Sequence, residues 1–162
     1  MLIKNCNIIY LDKIEKGSVL IENGKIKEIN PSNVNDTEVI DAEGLYLSPG
    51  FIDVHIHGAG GCDTMDGTVE SINTIAKTIV EHGTTSFTPT TMTVAAEDIR
   101  KSMKVIKKLK EEGTEGANVL GAHLEGPFIS PKAIGAQNPN FLLAPSVENY
   151  NKIVGDYRSE EH

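Results

Sequence analysis

Gly50-Phe51-Ile52-Asp53-Val54-His55-Ile56-His57-Gly58 is an apolar run of strand length broken by polar side chains at positions 53, 55 and 57. Side chains alternate faces along a strand, so Asp53, His55 and His57 fall on one side of it. A glycine-rich loop follows at residues 58–67. Beyond it Val69, Ile72, Ile75, Ala76, Ile79 and Val80 recur with the 3.6-residue period of a helix. Thr68 suits the N-cap of that helix and Gly83 its C-terminal end. Strand, loop and helix together make one βα unit.

The same grammar repeats downstream. Residues 84–90 are rich in Thr and Phe and read as a strand. Residues 94–112 read as a helix with Ile99, Met103, Ile106 and Leu109 on one face and Gly113 after it. A third strand, 118–124, leads into Glu125-Gly126-Pro127. Strand starts at 50, 84 and 118 are each 34 residues apart, the size of a βα repeat, which predicts a parallel sheet and an α/β fold. A closed (β/α)8 barrel takes roughly 250 residues, and residues 50–162 hold three such units, so a barrel is incomplete in this chain. After Leu124 come a loop with Pro127, Pro131, Pro139 and Pro145, a short helix at 146–154 and a polar ending at 156–162, with no fourth strand.

Upstream, residues 2–9, 18–21, 25–29, 38–40 and 45–47 are short apolar runs separated by turn signals. Asn23-Gly24 between two of them is a strong hairpin signal, because both central residues of a type I′ turn need positive φ. The opening is expected to be a small antiparallel sheet. Two domains follow from the change of grammar, 1–48 and 49–162.

The net charge of -8, from 15 Lys and Arg against 23 Asp and Glu, disfavours a nucleic-acid partner but leaves room for a small phosphorylated ligand held by a few local donors. No stretch approaches the ~18 apolar residues of a membrane span, and the N-terminus has no leader-like pattern. The expected location is cytoplasmic, without membrane contact. Cys6 and Cys62 form no CxxC pair and are expected to be buried thiols rather than a disulfide or a thiolate site.

His55 and His57 on one strand face can share a metal ion, and imidazole suits zinc, iron and related metals. They can equally be two polar side chains on a solvated sheet face. The apolar rest of the strand and the glycines after it, which let backbone approach a ligand, favour the metal. Glu125, just past a third parallel strand, is a surface carboxylate or a further ligand at the same sheet end. His123 lies two residues before it on the same face and suits a satisfied core histidine or a partner of the ligands. His82 ends a helix, where a partial positive charge is favourable. No role is assigned to Cys62 or Asp63.

GFIDVHIHG, residues 50–58, resembles the first-strand signature of the amidohydrolase superfamily. GAHLEGPFISPKAIGAQNP, residues 121–139, resembles more narrowly the corresponding segment of N-acetylglucosamine-6-phosphate deacetylases. The resemblance covers residues 1–155. It implies the N-terminal part of a (β/α)8 TIM-barrel metallo-hydrolase, preceded by part of a β-sandwich that C-terminal strands complete. It implies metal ligands at His55, His57 and Glu125, the last where other amidohydrolases carry a bridging Lys, and a divalent ion, zinc or iron, one or two per site. It also implies sugar contacts at Ala136 and Gln137, the latter a His in some relatives.

The implied reaction is hydrolysis of the N-acetyl amide of N-acetylglucosamine 6-phosphate to glucosamine 6-phosphate and acetate. The general-base Asp and two further His ligands are expected beyond residue 162, so this chain alone is expected to be inactive. The full-length protein is expected to be a homodimer. Two alternatives stay open: another amidohydrolase of dihydroorotase or hydantoinase type, and a truncated, non-catalytic product.

Overall fold

The computed structural model describes residues 1–155, and the polar ending at 156–162 lies outside the described residues. The chain divides into two compact units, Met1–Pro49 and Gly50–His162.

The first unit is a five-stranded sheet. β1 (Leu2–Ile9), β2 (Ile14–Glu22) and β3 (Lys25–Ile29) pair antiparallel in sequence order. The expected hairpin forms: Glu22 pairs with Lys25, and Asn23 and Gly24 between them have φ of 51° and 71°. The sheet is nevertheless mixed rather than antiparallel. β4 (Val39–Asp41) and β5 (Tyr46–Leu47) both pair with β1 in parallel, at Leu2–Lys4 and Asn7–Ile8 respectively. Residues 30–38 cross from β3 to the far edge of β1, and a strand that arrives by a crossover runs in the direction of its neighbour. β2 also starts earlier than residue 18, at Ile14, where Glu15 and Lys16 pair with β1 although their exposed charges hide the strand from an apolar pattern. Cys6, Ile8 and Val19 form the buried centre of this sheet.

The second unit carries the parallel strands. β6 (Phe51–Ile56) is followed by a small hairpin in the glycine-rich loop, β7 (Gly58–Ala59) with β8 (Cys62–Asp63), and a 3-10 turn at Thr64–Asp66. Then come α1 (Val69–Val80), β9 (Thr84–Pro89), α2 (Ala96–Glu112), β10 (Asn118–Val119) and α3 (Val147–Val154). The sheet order is β10-β9-β6, with both pairings parallel.

Thr68 caps α1 as expected, its hydroxyl accepting from the Ser71 N–H. The helix ends at Val80 with Glu81 as its cap, and Gly83 (φ 88°) makes the turn into β9. α2 starts two residues later than residue 94, at an Ala95 cap that offers no side-chain acceptor. The third strand is much shorter than 118–124. The Leu120 N–H still donates to Phe87 O, the chain then leaves the sheet, and it returns as a single parallel bridge between His123 and Thr90. Pairing resumes where the His123 N–H reaches Pro89 O. Cys62 is half-buried rather than buried, since it stands in the β7–β8 hairpin.

The core lies between sheet and helices. Ile72, Ile75, Ala76 and Ile79 of α1 and Ile106 and Leu109 of α2 close over Phe87 and Val119. Met103 and Ile99 continue that face of α2 onto Ile153 and Val154 of α3. Each fully buried aliphatic side chain contributes roughly 1.5–3 kcal/mol. No helix among the described residues is long and apolar enough to cross a membrane.

Ile75, wholly inaccessible at the middle of α1, tests this core. Ile75→Ala is expected to lower the unfolding free energy by about 2–5 kcal/mol in urea titration. On β6, by contrast, Phe51, Ile52 and Val54 are 68%, 61% and 63% exposed. An apolar strand of this kind recruits other chains. The 162-residue chain is therefore expected to self-associate in light scattering, and a sharp cooperative unfolding of a monomer would contradict that.

Candidate metal centre

The carboxyl ends of the parallel strands are tied together by backbone. The Ile56 N–H donates to Thr90 Oγ1 at 2.9 Å, and the Thr90 N–H donates to Ile56 O at 2.8 Å. The Thr91 N–H donates to His123 O, and the His123 N–H to Pro89 O, each at 3.0 Å. These bonds hold His55 and His57, which flank Ile56, level with Glu125, which lies two residues past His123.

Three donor atoms converge there. Glu125 Oε2 lies 3.0 Å from His55 Nε2 and 2.9 Å from His57 Nε2, and the two imidazole nitrogens are 3.3 Å apart. The other nitrogen of His57 reveals what these atoms carry. His57 Nδ1 is 3.2 Å from Thr90 O, and a carbonyl only accepts, so the hydrogen of the neutral ring resides on Nδ1. Its Nε2 then faces Glu125 with a lone pair and has no hydrogen to give. Glu125 Oε2 is itself inaccessible and accepts no hydrogen bond, although two nitrogens lie at contact distance. The His57 Nε2 lone pair and Glu125 Oε2 thus point into one small volume beside His55 Nε2, an arrangement that a cation relieves. Two imidazoles and a carboxylate are the donor set of zinc and of non-haem iron sites, and the residues present fit such an ion.

Among the described residues these three are the group of His, Cys, Asp and Glu side chains close enough to hold a metal ion. Asp53 does not join them, because its carboxylate turns back to accept the His55 backbone N–H at 3.0 Å. Asp63 is likewise occupied, capping the 3-10 turn through the Met65 N–H. His123 is neither a ligand nor an isolated core histidine: Nδ1 is 2.8 Å from Val54 O, so that it donates there, and the ring packs edge-on against His55 with centroids 4.6 Å apart.

Gln137 enters the site from the loop that follows Glu125. Its Nε2 donates to Glu125 Oε1 at 2.7 Å, and its Oε1 accepts the Thr93 N–H at 3.0 Å. Ala136 beside it is exposed. Gly126, at φ 77°, brings the turn after Glu125 so close to Thr93 Oγ1 that a Cβ would collide with it. Thr90 and Thr93 carry no sequence signal as site residues. They contribute a backbone carbonyl (Thr90), a backbone N–H (Thr93) and two hydroxyls that brace neighbouring backbone, and the sole hint is the unusual run of threonines at the end of β9.

An amidohydrolase family profile matches residues 38–107, which includes β6 with both histidines, α1 and β9. Over these residues the chain matches the amidohydrolase family. Over 159 residues, 94% of its length, it is 36% identical to N-acetylglucosamine-6-phosphate deacetylase of Bacillus subtilis. Over 128 residues, 78% of its length, it is 38% identical to the enzyme of that name from Vibrio furnissii. The crystal structure of N-acetylglucosamine-6-phosphate deacetylase from Pasteurella multocida superposes with a TM-score of 0.80 at 26% identity, covering 96% of this chain and 41% of that one. The chain spans 40% of the length of the Bacillus subtilis relative and 32% of the Vibrio furnissii one.

If the three donors act as one site, removing any of them weakens it. His57→Ala is expected to lower zinc affinity at least 10-fold in competition with a chromophoric chelator, while Asp53→Asn, outside the cluster, leaves it within about threefold of the parent.

Proposed function

We propose that this chain is the metal-binding portion of an enzyme that hydrolyses the N-acetyl amide of N-acetylglucosamine 6-phosphate, releasing acetate and glucosamine 6-phosphate. The observation that carries the reading is the convergence of His55, His57 and Glu125 at the ends of parallel strands, in a chain similar over most of its length to deacetylases of that name. In this reading β6, β9 and β10 are the first three strands of a (β/α)8 barrel, and the opening sheet is part of a β-sandwich. The full-length protein works as a homodimer in the cytoplasm.

His55, His57 and Glu125 would hold a divalent ion, zinc or iron, with the histidine pair giving room for a second. When bound, such an ion supplies Lewis acidity that polarises the amide carbonyl and lowers the pKa of a water. The chain's own residues do the arranging. Thr90 O keeps the His57 hydrogen on Nδ1 and so presents the Nε2 lone pair. His123, anchored to Val54 O, stacks against His55 and limits its rotation. The loop at 135–137 supplies the edge of the sugar site, Ala136 through its backbone and Gln137 through the Nε2 hydrogen not used by Glu125.

Proton transfer to the leaving amine needs a general base that then serves as acid. Among the described residues Asp53 and Asp63 hold backbone N–H groups and stand outside the cluster, and the resemblance implies a general-base Asp beyond residue 162. A longer reading frame that contains the base is expected to release acetate from N-acetylglucosamine 6-phosphate, and Glu125→Gln is expected to cut kcat/KM at least 100-fold. The 162-residue chain is expected to show no turnover above background in the same assay. Hydrolysis of dihydroorotate or a hydantoin in preference to the sugar phosphate would move the reading to another amidohydrolase.

A further inference from the structure

We infer that Gln137 is a positioning residue for the metal ligand Glu125, which it restricts to a single ligating oxygen. This deepens the proposed reading of the site and rests on it. The orientation of the amide is settled by its partners. Thr93 N–H can only donate, so the Gln137 atom 3.0 Å from it is the oxygen. The nitrogen is thereby turned to Glu125, where it donates to Oε1 at 2.7 Å. A carboxylate whose Oε1 is taken by a hydrogen bond presents Oε2 to the histidines, and Oε2 is the oxygen that lies inaccessible and unbonded between His55 Nε2 and His57 Nε2.

The anchor is rigid at its other end. Thr93 is 2% exposed, and its Oγ1 occupies the space that a Cβ on Gly126, the residue next to Glu125, would need. Thr93 therefore braces the Glu125 turn twice, by packing against Gly126 and by hydrogen bonding through Gln137. The chain crosses 12 residues from Glu125 to Gln137 and 44 from Thr93 to Gln137 to build this bridge. A hydrogen-bond partner of a ligating carboxylate is known to be worth 10–100-fold in metal affinity. Only one of the two Nε2 hydrogens is used, so a sugar contact by the same amide remains compatible.

The test is Co2+ binding by the 162-residue chain, with affinity and d–d absorption read together for the parent, Glu125→Ala, Gln137→Met and Gln137→Glu. Gln137→Met keeps the shape and removes both hydrogen bonds. Gln137→Glu keeps the acceptor for Thr93 and replaces the donor with a like charge. Both are expected to weaken Co2+ binding 10–100-fold. Gln137→Met is also expected to lower the intensity of the d–d bands, as a freed carboxylate binds through both oxygens and raises the coordination number. Circular dichroism of each variant reports folding, and if Gln137→Met unfolds the chain, Gln137→Glu decides. Parent-like affinity and spectrum in the folded Gln137 variants, with Glu125→Ala weakened, overturns the inference alone. Parent-like binding by Glu125→Ala overturns the metal reading and the inference with it.

Discussion

The parallel register between β6 and β9 governs everything else in the second unit. It sets Ile56 against Pro89, lets the Thr90 N–H donate to Ile56 O and brings the Thr90 hydroxyl to accept the Ile56 N–H. A slip of one residue would turn His55 and His57 to the other face of the sheet and send Val54 and Ile56 into the site. The bridge of His123 to Thr90 extends the same register to the third strand, so that Glu125 arrives opposite the histidines. Three side chains separated by up to 70 positions thus meet because three strand ends are level.

That meeting is electrostatically unfavourable for the bare protein. An oxygen without a hydrogen bond in a buried position costs about 1–3 kcal/mol, and the His57 Nε2 lone pair faces it. Thr90 sharpens the cost by fixing the His57 hydrogen on the far nitrogen. A ring free to place its hydrogen on Nε2 would instead donate to Glu125 and close the site as an ordinary hydrogen-bonded pair. The arrangement holds because the surrounding bonds leave these side chains little freedom to rotate away, which is the meaning of preorganisation for a cation site.

Much of this was legible in the sequence, and the remainder was hidden for physical reasons. The Asn23-Gly24 turn, the α1 and α2 periodicities, the His55 and His57 pair and the position of Glu125 are all local patterns, and local patterns are what a sequence displays. The parallel pairing of β4 and β5 with β1 was not legible, since an alternating strand says which face is apolar and nothing about which edge it joins. The shortness of β10 was hidden because the apolar run from Val119 to Leu124 is the same whether or not the ladder continues. Thr90 orients His57 through a carbonyl that every residue possesses, and its hydroxyl's bond to the Ile56 N–H depends on a strand register that no local pattern displays. Gln137 looked like a loop residue near a sugar, and its reach to Glu125 and Thr93 depends on how the loop at 128–137 folds back, which no spacing rule encodes.

The strain at the site and the depth of the core belong together. Glu125 Oε2, Thr91 Oγ1 and Thr93 Oγ1 are all inaccessible without hydrogen-bond partners, and at about 1–3 kcal/mol each they subtract several kcal/mol from the second unit. The residues that offset this lie directly beneath: Phe87, on β9 just before the threonine run, is fully buried, and Ile72, Ile75 and Ile106 close over it. This apolar packing, worth roughly 1.5–3 kcal/mol per buried side chain, opposes that cost. It also explains why the polar cluster is carried at the end of β9 and not on the exposed edge strand alone. β6 supplies the histidines but has open apolar positions on both faces, so its rigidity is borrowed through Thr90 from β9, which the helices bury.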